Sequence, residues 1–183
     1  MYDDVMNFKN KKKLSSEEYQ TLFNTVLLGL YVLHPPRRNQ DYQKMLIVKS
    51  MPDDASDNYN YLDLKQKQFV FYQYKTRGKY EKQTLPVNDD YMKLIKIWLK
   101  HHPLKHELND GIYLLVDKEG KSYKKMNDIT ILLNKIFGKR IGASMLRKIY
   151  LSSKYSNKAE QLKKDSEAMG TSVNTAQNNY IKK

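Results

Sequence analysis

The chain has 183 residues, enough for one domain of ordinary size, or one domain with a short appendage. Hydrophobic residues at 40% and charged residues at 29% are ordinary for a soluble globular protein, and the absence of cysteine excludes disulfides, thiolate zinc sites and a cysteine nucleophile. Lys and Arg outnumber Asp and Glu by 33 to 20, a net charge of +13 that says little about fold and makes a polyanion the natural partner.

In chain order, residues 1 to 14 are polar, lack the apolar stretch of a signal peptide, and read as an N-terminal arm. Ser15 followed by Glu18 is a capping box. Behind it Tyr19, Leu22, Phe23, Val26, Leu27 and Leu30 recur at helical steps, predicting a buried helix that Pro35-Pro36 ends. A short second helix is expected to carry Asp41, Tyr42, Met45 and Leu46, and Ser50 to Asn58 reads as a loop.

Tyr59 to Leu64, Lys67 to Tyr74 and Glu81 to Val87 read as three strands of an antiparallel meander. Asn88 should cap a helix whose apolar face is Tyr91, Leu94, Ile95, Trp98 and Leu99, stopping before Pro103. Gly111 to Val116 is a short apolar strand turned by Asp117 to Gly120. After Ser122 the pattern is helical. Ile129, Leu132, Leu133 and Ile136 form one stripe, and Met145, Leu146, Ile149 and Tyr150 form another. A polar helix follows from about Asn157 to Ala168, and Val173 to Tyr180 reads as a last helical segment. The predicted class is α+β, mainly α-helical with a small three-stranded antiparallel sheet. No apolar run spans a bilayer; the longest, Val26 to Leu33, is interrupted by Gly29. An intracellular protein with no membrane partner is expected.

Two features admit two readings each. There are 15 tyrosines against 5 phenylalanines and one tryptophan. Tyr59, Tyr61, Tyr72, Tyr74 and Tyr80 could stack bases or pack a small sheet. His101, His102 and His106 resemble a metal cluster, but Pro103 breaks the helical geometry and no carboxylate or thiol completes it. No metal and no cofactor are expected.

Four local patterns remain: Pro35-Pro36-Arg37-Arg38 before Asp41-Tyr42; Tyr74-Lys75-Thr76 entering a turn; Ser144 to Tyr150 on a helix; and Met169-Gly170-Thr171-Ser172 ahead of Tyr180. In this order they resemble the tyrosine recombinase catalytic domain, the group that includes phage integrases and shares its active site with type IB topoisomerases. The resemblance runs from about Ser15 to Tyr180. It implies that fold over residues 15 to 183, with Arg38 the first arginine, Lys75 the hairpin lysine, Arg147 the second arginine and Tyr180 the nucleophile. Arg37 is the less favoured first arginine, because Arg38 sits better before Asp41-Tyr42.

The residue types suit the chemistry. Two guanidiniums grip the oxygens of a pentacoordinate phosphate, and a tyrosine hydroxyl, with its pKa near 10, needs a cationic pocket to attack at neutral pH. A lysine on a turn can protonate the leaving 5′ oxygen. The resemblance therefore implies strand cleavage and rejoining through a 3′-phosphotyrosyl intermediate on double-stranded DNA, in site-specific recombination or integration. Self-association on DNA as a synaptic dimer or tetramer goes with it, in the cytoplasm or nucleus of a host, wherever the target DNA lies.

Ser144 stands where the family has the histidine of His-x-x-Arg, and Thr171 where it has His or Trp. Each exchange is expected to lower the rate on the order of 10- to 1,000-fold. This leaves an active or weakened enzyme as the first reading and an inactive DNA-binding protein on the same fold as the alternative. Supercoil relaxation of the type IB kind is a further one. The helical DNA-clamping domain of the family is missing ahead of Ser15, as in a fragment of a longer protein or a minimal member.

Overall fold

The first residues fold back onto the body instead of trailing as a polar arm. In the computed structural model, which describes residues 1–75, 82–123, 125, 127–168 and 173–174, helix α1 (Tyr2–Met6) and a tight turn at Asn7–Asn10 bury Val5 and Phe8. Tyr2 Oη donates to the Asp90 carbonyl at 3.0 Å, and Lys100 Nζ donates to the Lys9 carbonyl at 2.6 Å. Two apolar side chains at helical spacing are enough to dock a segment that is otherwise polar.

Helix α2 (Ser16–Val32) begins at the expected capping box: the Glu18 N–H donates to Ser15 Oγ at 3.2 Å and the Ser15 N–H to Glu18 Oε2 at 2.9 Å. Leu22, Phe23, Val26, Leu27 and Leu30 are all buried. Gly29 is required where it stands, since a Cβ there would lie 2.6 Å from the Tyr91 ring. The chain then leaves through the two prolines into α3 (Asn39–Gln43).

Met45 and Leu46 do not continue that helix. Met45–Val48 is strand β1, a four-residue apolar run whose alternate side chains face opposite ways, as a strand between two partners requires. The three expected antiparallel strands follow as β2 (Asn60–Asp63), β3 (Gln68–Phe71) and β4 (Gln83–Pro86). The sheet is nonetheless five-stranded and mixed, in the order β4-β3-β2-β1-β5. β1 runs parallel to β2, and β5 (Ile112–Tyr113) is antiparallel to β1 on its far side. Local alternation revealed the hairpins, whereas β1 pairs with β2 across the long Ser50 to Asn58 loop and with β5 still further along the chain, pairings that no short-range pattern specifies.

One sheet face, with Met45, Ile47, Leu62, Phe69 and Phe71, packs into the main core with α2 and α4 (Asp89–His101). Asn88 caps α4 as predicted, accepting from the Asp90 and Tyr91 N–H groups. Trp98 is fully buried and donates through Nε1 to the Leu114 carbonyl at 3.0 Å. The other sheet face carries a smaller cluster of Val48, Tyr61 and Val70, edged by Tyr59 and Tyr72. The tyrosines of this region are therefore packing residues, with Tyr61 and Tyr74 buried; Tyr80 lies outside the described residues.

Helix α5 (Asp128–Phe137) buries Ile129 and Leu133 and ends at Gly138, which takes the left-handed conformation (φ 63°). The two helices expected beyond it are one, α6 (Ala143–Ala168), and its Met145 and Ile149 are exposed instead of forming a buried stripe. Contacts divide the chain into Met1–Leu146 and Arg147–Lys183, the boundary falling inside α6. Of the last predicted segment only Val173 and Asn174 are described. Among the described residues no helix is long and apolar enough to cross a membrane.

Candidate functional site

The segment that leaves α2 is locked before it reaches the two arginines. His34 is buried; its Nδ1 donates to the Gly29 carbonyl at 3.2 Å, and its Nε2 accepts from the Asn88 N–H at 3.0 Å. His102 is held the same way, Nε2 donating to the Tyr113 carbonyl at 3.0 Å and Nδ1 accepting from the Leu104 N–H at 3.1 Å. Each ring is a neutral tautomer with no room for a second proton. Burial pushes the pKa of His34 down and that of His102 down to about 4.

An unfolded histidine titrates near 6.5, so the unfolded chain takes up protons first, and stability is lost as pH falls below that value. From neutrality to pH 5, above the carboxylate range, His102 alone should remove about 2 kcal/mol. Urea denaturation across that interval measures it. A midpoint that does not move refutes the locked tautomers.

Beyond the prolines the adjacent arginines part ways. Arg37 is embedded: Nε bonds Asp41 Oδ2 at 2.8 Å, Nη1 donates to Gln83 Oε1 at 3.0 Å, and the guanidinium lies 3.9 Å from the Phe71 ring centroid. Arg38 is the extended N-cap residue of α3, half-buried, and its guanidinium has no hydrogen-bond, ion-pair or ring partner among the described residues. Its backbone carbonyl accepts from the Asp41 N–H at 3.0 Å, which fixes the position of its Cα.

Asn60, fully buried at the head of β2, ties this corner to the end of β3. Its Nδ2 donates to the Asp41 and Gln73 carbonyls at 2.7 and 2.8 Å, and its Oδ1 accepts from the Tyr72 and Gln73 N–H groups at 2.8 and 2.7 Å. Arg37 adds a second tie, its guanidinium 5.3 Å from the ring of buried Tyr74. The next residue, Lys75, is exposed and ends this described stretch. The structure thus brings the elements bearing Arg38 and Lys75 to one corner. A polar cleft of about 310 Å³ opens there, lined by Gln40, Gln43, Lys44, Asn58, Gln73 and Tyr74, with no carboxylate in its lining. Lys44 is its one cation, and neither Arg38 nor Lys75 lines it.

Asn39 extends the corner towards α5, accepting from Tyr31 Oη at 2.6 Å and donating to Thr130 Oγ1 at 2.9 Å. After α5, the Ile141 N–H donates to Asn134 Oδ1 at 2.8 Å and the Gly142 carbonyl accepts from Met145 and Leu146, setting the start of α6. Ser144 is exposed in the first turn of α6, within the first unit. Arg147, half-buried, is the first residue of the second unit. Thr171 and Tyr180 lie outside the described residues.

Sequence reasoning missed Asn60 and the structural role of Arg37. The only sign of Asn60 was a polar residue inside an aromatic strand pattern. The histidines near the end of α4 are used locally, His101 Nε2 lying 3.1 Å from the Phe8 carbonyl and His102 bound as above. Among the described residues no group of three His, Cys, Asp or Glu side chains is placed to hold a metal. Comparison with protein-family models, curated proteins and solved structures finds no significant match to this chain.

Proposed function

We propose that the chain cleaves and rejoins double-stranded DNA in the manner of tyrosine recombinases, with Tyr180 as the nucleophile. One observation supports the reading: of two adjacent arginines, Arg37 is committed to the fold while the Arg38 guanidinium has no hydrogen-bond, ion-pair or ring partner among the described residues, near the corner where Lys75 also emerges. A half-buried guanidinium fixed at its backbone and uncommitted at its head is suited to an external anion. The net charge of +13 supports a polyanionic one.

In this reading Arg38 and Arg147 neutralise the non-bridging phosphate oxygens, and the Tyr180 oxygen attacks phosphorus as its proton passes to solvent water. A 3′-phosphotyrosyl bond forms, the bond to the 5′ oxygen breaks, and Lys75 supplies the proton that oxygen takes up. A 5′ hydroxyl from another strand reverses the sequence. Copies of the chain associate on the DNA as a dimer or tetramer.

Incubation with a nicked suicide duplex should trap a covalent protein–DNA adduct. Tyr180→Phe, which lacks the attacking oxygen, should reduce adduct to background. An adduct that persists in Tyr180→Phe, or none from the unaltered chain, defeats the proposal. Ser144 and Thr171, at the family's histidine positions, favour a second reading in which the fold binds DNA without cutting it. Ser144→His combined with Thr171→His separates the two, since cleavage that appears only in that variant marks an intact scaffold with its acid–base groups removed.

A further inference from the structure

At the opposite end of α2 from Arg38, lysines from three separate parts of the chain surround one cleft of about 340 Å³. Lys12 and Lys13 come from the segment before α2, Lys100 and Lys105 from the end of α4 and just beyond, and Lys118 from the turn after β5. All five are exposed, and no carboxylate lines the cleft. Helix α2 spans 17 residues. At a rise of ~1.5 Å per residue it keeps the cleft ~25 Å from the Arg38 corner.

The ammonium groups are available. Lys12 and Lys13 have no hydrogen-bond or ion-pair partner among the described residues. Lys100 and Lys105 each give one donor to a backbone carbonyl, of Lys9 at 2.6 Å and of Lys100 at 3.3 Å, keeping two for a ligand. Lys118 lies 3.7 Å from Glu119 in a loose exposed pair, which contributes little. Lys11 is taken by Glu18 and stands outside the lining.

We propose that this lysine cleft is a second contact for the phosphate backbone of duplex DNA. The lining holds no Arg, Asn or Gln, and its cations are flexible lysine point charges gathered from three parts of the chain, which suits it to backbone phosphates more than to base edges. Tyr19 offers no stacking platform for a single strand: its hydroxyl is bound to the Val116 and Asp117 carbonyls and its ring packs on Trp98. A membrane surface fits poorly, because none of the large exposed apolar residues lines the cleft to anchor in a bilayer. The inference rests on the chain being a DNA-binding protein, and not on its cutting DNA.

The test uses the Tyr180→Phe chain and a short labelled duplex, with affinity measured between about 50 and 200 mM KCl. Replacing all five lysines by Gln should flatten the slope of log affinity against log salt by about 4. Lys12→Gln with Lys13→Gln, two exposed changes that leave the melting temperature unaltered, should flatten it by about 2. A slope unchanged in either folded variant overturns the cleft, whatever the adduct assay shows. Tighter lysine-dependent binding to single-stranded RNA, or to anionic vesicles, than to the duplex overturns it equally. Failure of Tyr180 to form an adduct leaves this measurement intact, so the two proposals fall separately.

Discussion

Arg37→Ala should lower folding stability by about 3 kcal/mol, whereas Arg38→Ala should leave the denaturation midpoint in place and slow strand cleavage about 100- to 1,000-fold. The residues are neighbours of one type, so the contrast isolates environment from chemistry. Arg37 compensates a carboxylate that is almost entirely buried, donates to Gln83 on β4, and covers the Phe71 ring. Its loss removes an ion pair, a hydrogen bond and a cation–π contact together.

Arg38 has none of these attachments, so truncation breaks no hydrogen bond, ion pair or ring contact among the described residues. In the proposed reaction it removes a fixed positive donor from the transition state of phosphoryl transfer. Urea denaturation and single-turnover cleavage of a suicide duplex measure the two effects. If Arg38→Ala unfolds the protein as readily as Arg37→Ala, or cleaves at the unaltered rate, the assignment of the first arginine is wrong.

Asn60→Ala should be the most damaging single truncation in the sheet, at about 3 to 5 kcal/mol. Two backbone N–H groups and two carbonyls converge on its amide, and alanine would leave these groups without that partner. Asn60→Asp makes a sharper probe. It keeps an acceptor for the Tyr72 and Gln73 N–H groups but has no donor for the Asp41 and Gln73 carbonyls, and it buries a charge. Both variants should raise amide hydrogen exchange at Tyr72 and Gln73 and slow cleavage, because the strand end leading to Lys75 loses its tie to α3. Exchange rates that match the parent chain contradict the clamp.

What the sequence disclosed followed the range of the interaction concerned. The Ser15–Glu18 box, the Asn88 cap, the Asp117 to Gly120 turn and the β2-β3-β4 meander are fixed by neighbours a few residues apart, and each stands where the pattern put it. β1 was misread because Met45 to Val48 is a uniformly apolar run directly after α3, with no alternation of its own, and owes its extended form to β2 and β5, which lie further along the chain. The arm was misread because two apolar side chains, Val5 and Phe8, decided its fate among many polar ones. For the candidate site, residue order brought forward Arg38 and Lys75 as expectations. It gave no means of telling an arginine engaged by the fold from one with no partner among the described residues, a distinction made by Phe71, Gln83 and Asp41 from three different elements.

Both margins of the sheet are closed to newcomers. β4 carries Pro86, which has no N–H to offer, and β5 is only two residues long. Crowded copies of this chain, as an assembly on neighbouring DNA sites would demand, therefore have little opportunity to zip together strand to strand into fibrils. In the proposed assembly, recognition between copies would fall to side chains on helices and loops, where substitutions can retune affinity without inviting amyloid.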